Sequence, residues 1–80
     1  MLLNTLYYKF IMVEVFKTNV KKVQEATTLI DQLSLHFPGS KINFDLDDCD
    51  KILRIEGINF LAEKVMLLLK KNGFKCRLLE

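Results

Sequence analysis

The sequence predicts an α+β domain whose elements follow the order β-α-β-β-α-β. Three observations carry that expectation. The hydrophobic period switches from two to about 3.6 and back again, and does so twice along the chain. The run Lys41-Ile42-Asn43-Phe44-Asp45-Leu46 alternates strictly and is answered, after a polar turn, by a second alternating run from Lys51. Asn72-Gly73 is a strong helix stop, and it leaves room for one short closing strand.

Size and composition bound the answer to one folded domain. The chain has 80 residues, of which 50% are hydrophobic and 28% charged, with one Pro and three Gly. A chain this short buries only ~60% of the surface it exposes when unfolded, and half its residues being hydrophobic is enough for one compact core. So little Pro and Gly, with ordinary charge, argues against disorder. The net charge of +2 comes from 12 basic and 10 acidic residues. Lys21-Lys22 and Lys70-Lys71 are isolated pairs, not a stripe, so no nucleic acid partner is expected. Two cysteines are not a disulfide framework, and reduced thiols fit a cytoplasmic setting. Residues 1–11 are apolar but fall far short of the ~20 residues that cross a bilayer. They show neither a basic flank nor a small-residue cleavage site, so no membrane partner and no export signal are expected.

The domain is expected to span residues 12–80. Residues 1–11 are then an N-terminal extension upstream of a start at Met12, or a backward lengthening of the first strand. The strand propensity of Tyr7, Tyr8, Phe10 and Ile11 allows the second. In Met12–Lys17, Val13 and Val15 point one way, expected inward, and Met12, Glu14 and Phe16 the other, expected outward. Val20, Val23, Ala26 or Thr27, Ile30, Leu33 and Phe37 then recur at helical spacing, with Thr18 or Asn19 as the N-cap. Pro38 and Gly39 end that helix.

In the following hairpin, Ile42, Phe44 and Leu46 face inward and return against Leu53 and Ile55, around the turn Asp47-Asp48-Cys49-Asp50. Gly57 is expected to break the strand and Asn59 to cap a second helix, with Ile58 as the apolar residue before it. That helix has the stripe Leu61, Ala62, Val65, Leu68 and Leu69, with Phe60, Met66 and Leu67 partly off it. The last strand turns Phe74, Cys76 and Leu78 inward. The order is that of the split βαβ, ferredoxin-like arrangement, with two helices on one face of a four-stranded antiparallel sheet and the other face open.

With the elements placed, Met12–Leu79 resembles the heavy-metal-associated domain family of copper-chaperone-like modules. Ala62–Phe74 looks like that family's second helix running into its Gly-aromatic turn. Ser40–Leu46 sits where the family has its second strand. The family's Met-x-Cys-x-x-Cys loop before the first helix holds a soft ion such as Cu(I) through two thiolates. Val20 and Val23 stand at the two cysteine positions of that loop. The resemblance therefore implies the fold and a metal site that has lost its ligands.

Few residues suggest chemistry. Cys49 and Cys76 are the only thiols and the only candidates for a divergent Cu or Zn site. Cys49 falls in the hairpin turn, expected at the far end of the domain from the degenerate loop. Cys76, in mid-strand, reads as a small core hydrophobe. His36 could be a ligand or a base, but reads as a C-terminal helix residue interacting with the dipole. Asp45, Asp47, Asp48 and Asp50 lack the glycine and the distal glutamate of a calcium loop. Lys21 and Lys22 near the first helix N-terminus attract an anion only weakly without a glycine-rich approach.

The outer sheet face is the stronger candidate. It is expected to present Phe16, Ile52, Arg54 and Arg77, together with Met12, Glu14, Asn43, Asp45, Lys75 and Leu79. No pair of titratable groups is placed for acid–base or nucleophilic work, and no cofactor is expected. The sequence thus points to a non-enzymatic interaction or accessory module, with an unknown protein or a second copy as partner. Metal binding or transport by a divergent site is the alternative.

Overall fold

The computed structural model describes residues 11–79. The strands are β1 (Ile11–Thr18), β2 (Lys41–Asp45), β3 (Ile52–Ile58) and β4 (Cys76–Leu78). The helices are α1 (Val23–His36), between β1 and β2, and α2 (Ala62–Lys71), between β3 and β4. The four strands form one sheet in the order β2-β3-β1-β4, and every neighbouring pair is antiparallel. Strand β3 therefore lies between β1 and β2, the two strands that α1 connects. β1 begins one residue before the expected boundary at Met12. The choice between an extension and a longer strand for residues 1–10 lies outside the described residues.

Register decides which side chains are buried. Phe16 stands opposite Leu53 on one side and Leu78 on the other, and Leu53 stands opposite Phe44. This apolar row crosses all four strands. Glu14, Ile55 and Ile42 form the row beside it. Phe16, Leu53 and Ile55 are fully buried in one cluster with Leu29 and Leu33 of α1 and Val65 and Leu69 of α2. Both helices thus cover the same face of the sheet.

The expected facing of β1 is inverted. Phe16 has 0% exposure, whereas Val13 keeps 46%. Each row of this strand mixes apolar residues with one charge, Glu14 in one and Lys17 in the other, so alternation alone does not choose between them. Pairing does: Val13 and Val15 stand opposite Glu56 and Arg54, on the polar row of β3. A one-residue slip would expose Phe16 and bury charge.

Gly57 does not break β3 either. It stands opposite Met12 within the strand, and a Cβ there would collide with Ser40 Oγ and lie 3.4 Å from the Phe60 ring. Its missing side chain lets Ser40 and Phe60 close onto the sheet.

The helix starts differ from expectation at both sites. α1 begins at Val23 after an extended Lys22, whose N–H donates to Glu25 Oε1 at 3.3 Å. That bond is the carboxylate half of a capping box. Val20 precedes the helix and is fully buried, whereas Val23 is 72% exposed. Ala26, Leu29 and Leu33 form the buried stripe of α1. α2 begins after an extended Leu61, and Asn59 sits in the left-handed region at φ 54 instead of capping it. Asparagine tolerates that conformation better than most residues. Leu61, expected in the core, is largely exposed, and Phe60 is buried in its place.

The end of α2 agrees with the sequence. Gly73 has φ 88 and donates to the Lys70 carbonyl at 2.9 Å, and Phe74 donates to that of Leu69 at 3.0 Å. This is the paired bonding of a Schellman stop. Just before it, Asn72 and Gln32 exchange side-chain amide hydrogen bonds of 2.9 and 3.2 Å, which tie α2 to α1.

Candidate functional site

Strands β1 and β2 run parallel, so the β2–β3 turn lies at the same end of the domain as the β1–α1 junction. This corrects the expectation that Cys49 sits at the far end from the degenerate loop. Hydrogen bonds join the two segments. Thr18 N–H donates to the Asp50 carbonyl at 3.0 Å, and Thr18 Oγ1 donates to the Lys51 carbonyl at 2.6 Å. The same hydroxyl oxygen accepts from Val20 N–H at 3.1 Å. Asn19 Oδ1 accepts from Lys75 N–H at 2.8 Å, which brings the α2–β4 connection to the same place. The two residues expected to cap α1 instead fasten three loops together.

That end gathers Val20, Cys49 and Cys76 without making a shared site of them. Val20 is core, and Val23 points to solvent. Cys76 stands opposite Thr18 on the helix-covered face, and burial pushes its thiol up to about 12. A metal ligand or nucleophile must be the thiolate, so burial works against both roles. Cys49 is exposed in the turn, where its sulfur and the Asp48 and Asp50 carboxylates lie within 4.8 Å of one another.

Those carboxylates already serve the loop. Asp48 Oδ1 accepts from Asp50 N–H at 2.8 Å, and Asp50 Oδ1 pairs with Lys17 Nζ at 3.3 Å. Lys51 closes the turn in the left-handed region at φ 46, and its Nζ donates to the Leu46 carbonyl at 2.7 Å. His36 lies at the C-terminal end of α1, the end opposite to the two cysteines. Its Nδ1 is 2.9 Å from the Gln32 carbonyl, an acceptor only, so Nδ1 carries the proton. His36, Cys49 and Cys76 therefore sit on separate elements and are not brought together.

The open face of the sheet gathers more. The register places Ile11 opposite Ile58, Val13 opposite Glu56, and Val15 opposite Arg54. Ile11, Val13 and Ile58 keep 70%, 46% and 47% of their surface exposed. Beside them, Arg54 Nη2 and Glu56 Oε1 are 3.4 Å apart. Lys17 stands opposite Arg77, and Asp45 opposite Ile52.

Of the residues expected on this face, Ile52, Arg54 and Arg77 are there. Phe16 is not, because its row of β1 turns into the core, and Met12 and Glu14 share that row. Ile11, Val13 and Ile58 were not expected there. The signal that would have found Val13 is the polar row Arg54 and Glu56 of β3, once β1 is paired against it.

Among the described residues, no helix is long and apolar enough to cross a membrane. Comparison with protein-family models, characterised proteins and solved structures finds no match to this chain.

Proposed function

We propose that this chain is a small non-enzymatic interaction module of ferredoxin-like architecture, with the open sheet face as its contact surface and a second copy of the chain as its partner. The observation that carries the reading is the patch of Ile11, Val13 and Ile58, exposed beside the Arg54–Glu56 pair. In a two-fold contact the same patch meets itself, and each residue of one copy answers one of the other. The register sets these apolar side chains at one end of the open face, with charges of both signs along the rest of it, a mixture that suits such self-complementarity. Lys17, Arg54 and Arg77 supply one sign, and Asp45 and Glu56 the other.

The resemblance to heavy-metal-associated domains enters as a proposal of the same kind. It is supported by the βαββαβ order and by the Gly73-Phe74 turn after α2. The module is then one in which Val20 and Val23 have replaced the ligands. A divergent metal site would rest on the Asp48-Cys49-Asp50 turn alone, whose carboxylates already hold the loop, and it is not the reading adopted.

Sedimentation equilibrium together with native mass spectrometry tests the proposal. The expected result is a dimer that dissociates on Val13→Glu, with the far-UV spectrum unchanged. A chain that stays monomeric at millimolar concentration overturns it. Adding Zn(II) or Cu(I) in the same experiment reads out the metal alternative. A stoichiometric adduct lost on Cys49→Ser would put that alternative first.

A further inference from the structure

A groove on the solvent side of the helical layer has a character different from the sheet face. It is a cavity of about 290 Å³ between the end of α1 and the length of α2, lined by His36, Phe37, Lys64, Leu67, Leu68 and Lys71. A second cavity of about 380 Å³ shares His36, Phe37 and Lys64 with it and extends the groove to Leu61. The floor is apolar and partly open, with Leu61 57% and Leu67 50% exposed. The Phe37 ring packs edge-on against Phe60 at 6.0 Å, which fixes one wall.

The charge on this groove is of one sign. Lys64 and Lys71 line it, and no carboxylate lines either cavity. Among the described residues, neither lysine takes part in an ion pair. They lie seven residues apart on α2, which is about 10 Å along the axis, or two helical turns. His36 donates from Nδ1 to its own helix, which leaves Nε2 as its free nitrogen.

From this we infer that the groove is a docking site for an acidic amphipathic helix of a partner protein. The partner lays an apolar stripe over Leu61, Leu67 and Leu68 and sets two carboxylates about two turns apart against Lys64 and Lys71. Helix-in-groove recognition reads apolar anchors on one helical face. The unopposed basic rim adds selection for partner charge and speeds encounter. The extension of the groove reaches Ile58 at the edge of the sheet patch, but the cavity lined by both Lys64 and Lys71 does not, and docking there does not depend on the dimer proposed for the sheet face.

The test is fluorescence anisotropy with two designed helical peptides on the full chain. Both carry leucine at i, i+4 and i+7. One flanks the stripe with glutamates two turns apart, and the other with lysines. The glutamate peptide is expected to bind, more weakly as salt is raised, and the lysine peptide is not. The double variant Lys64→Glu, Lys71→Glu, both exposed positions, is expected to lose about tenfold or more in affinity for the glutamate peptide. Val13→Glu on the sheet face should leave peptide binding unchanged, so the two proposals fail separately. Equal binding of both peptides, or no binding at millimolar peptide, overturns the inference. So does adsorption to phosphatidylglycerol vesicles that the glutamate peptide does not compete away.

Discussion

The two faces of the sheet carry nearly the same chemistry along β1 and meet different fates. Met12 and Phe16 alternate with Val13 and Val15, and either row alone would pass for the inside of a small domain. One row lies under both helices, where Phe16 reaches 0% exposure. The other is open, and Val13 keeps nearly half its surface. The difference comes from the neighbours of β1. β3 presents Leu53 and Ile55 to one side and Arg54 and Glu56 to the other, and β1 takes its facing from them. In a sheet this small, the strand with the clearest alternation orients the strand with the least.

Truncation on each face should break this comparison most sharply. Phe16→Ala removes a fully buried ring that stands against Leu53 and Leu78. It is expected to cost about 3–5 kcal/mol in urea unfolding, a large share of what a domain of this size holds. Val13→Ala, three positions closer to the N-terminus and on the opposite face of the sheet, is expected to change stability by only about 0.5 kcal/mol. A Val13→Ala cost that grows with protein concentration would show that the open face is buried against a second copy. Equal costs at every concentration would mean that the inner and outer rows are not distinguished as described.

A smaller effect tests the rim of the covered face, where the inner row turns polar. Thr18 is 6% exposed, and its hydroxyl serves both the Lys51 carbonyl and the Val20 N–H. Thr18→Val keeps the shape and leaves those two groups without partners. A loss of about 2 kcal/mol is expected, together with faster amide exchange at Val20 and through the β2–β3 turn. A neutral result would mean that water reaches these groups, and that the β1–α1 junction and the β2–β3 turn are not held together through the Thr18 hydroxyl.

What could be read from the sequence was what depends on near neighbours in the chain. The alternation of Ile42, Phe44 and Leu46, the turn before Lys51, and the stop at Asn72-Gly73 all rest on contacts a few residues apart. The residues misread are those whose partners lie far along the chain. Thr18 and Asn19 have the composition of N-caps, but Lys51 and Lys75 claim their side chains. Gly57 has the look of a strand breaker, but Ser40 and Phe60 need its missing Cβ. The candidate surface was half legible for the same reason. Ile52, Arg54 and Arg77 belong to strands with clear alternation, whereas Val13 acquires its place only through the register of β1 with β3. The basic groove has no local signal at all, since it pairs the end of α1 with residues spread along α2.

The two thiols give the finest contrast between covered and open positions. Cys49 lies exposed in the turn, and Cys76 lies beside Thr18 under the helices, where burial holds its thiol at about 12. Under native conditions iodoacetamide is expected to modify Cys49 first, and Cys76 only at the rate at which the region opens. The pH dependence has a definite sign. The unfolded thiol ionises near its ordinary value of 9.0, while the folded one stays protonated up to about 12. Between those values the unfolded state has released a proton that the folded state retains, so rising pH favours unfolding. The contribution of Cys76 is whole below 9.0 and is lost as pH climbs towards 12. Urea midpoints of the wild type and Cys76→Ala should therefore converge as pH rises above that lower value. Parallel curves, or alkylation of both cysteines at one rate, would place Cys76 on the open side of the sheet and remove the rim from the covered face.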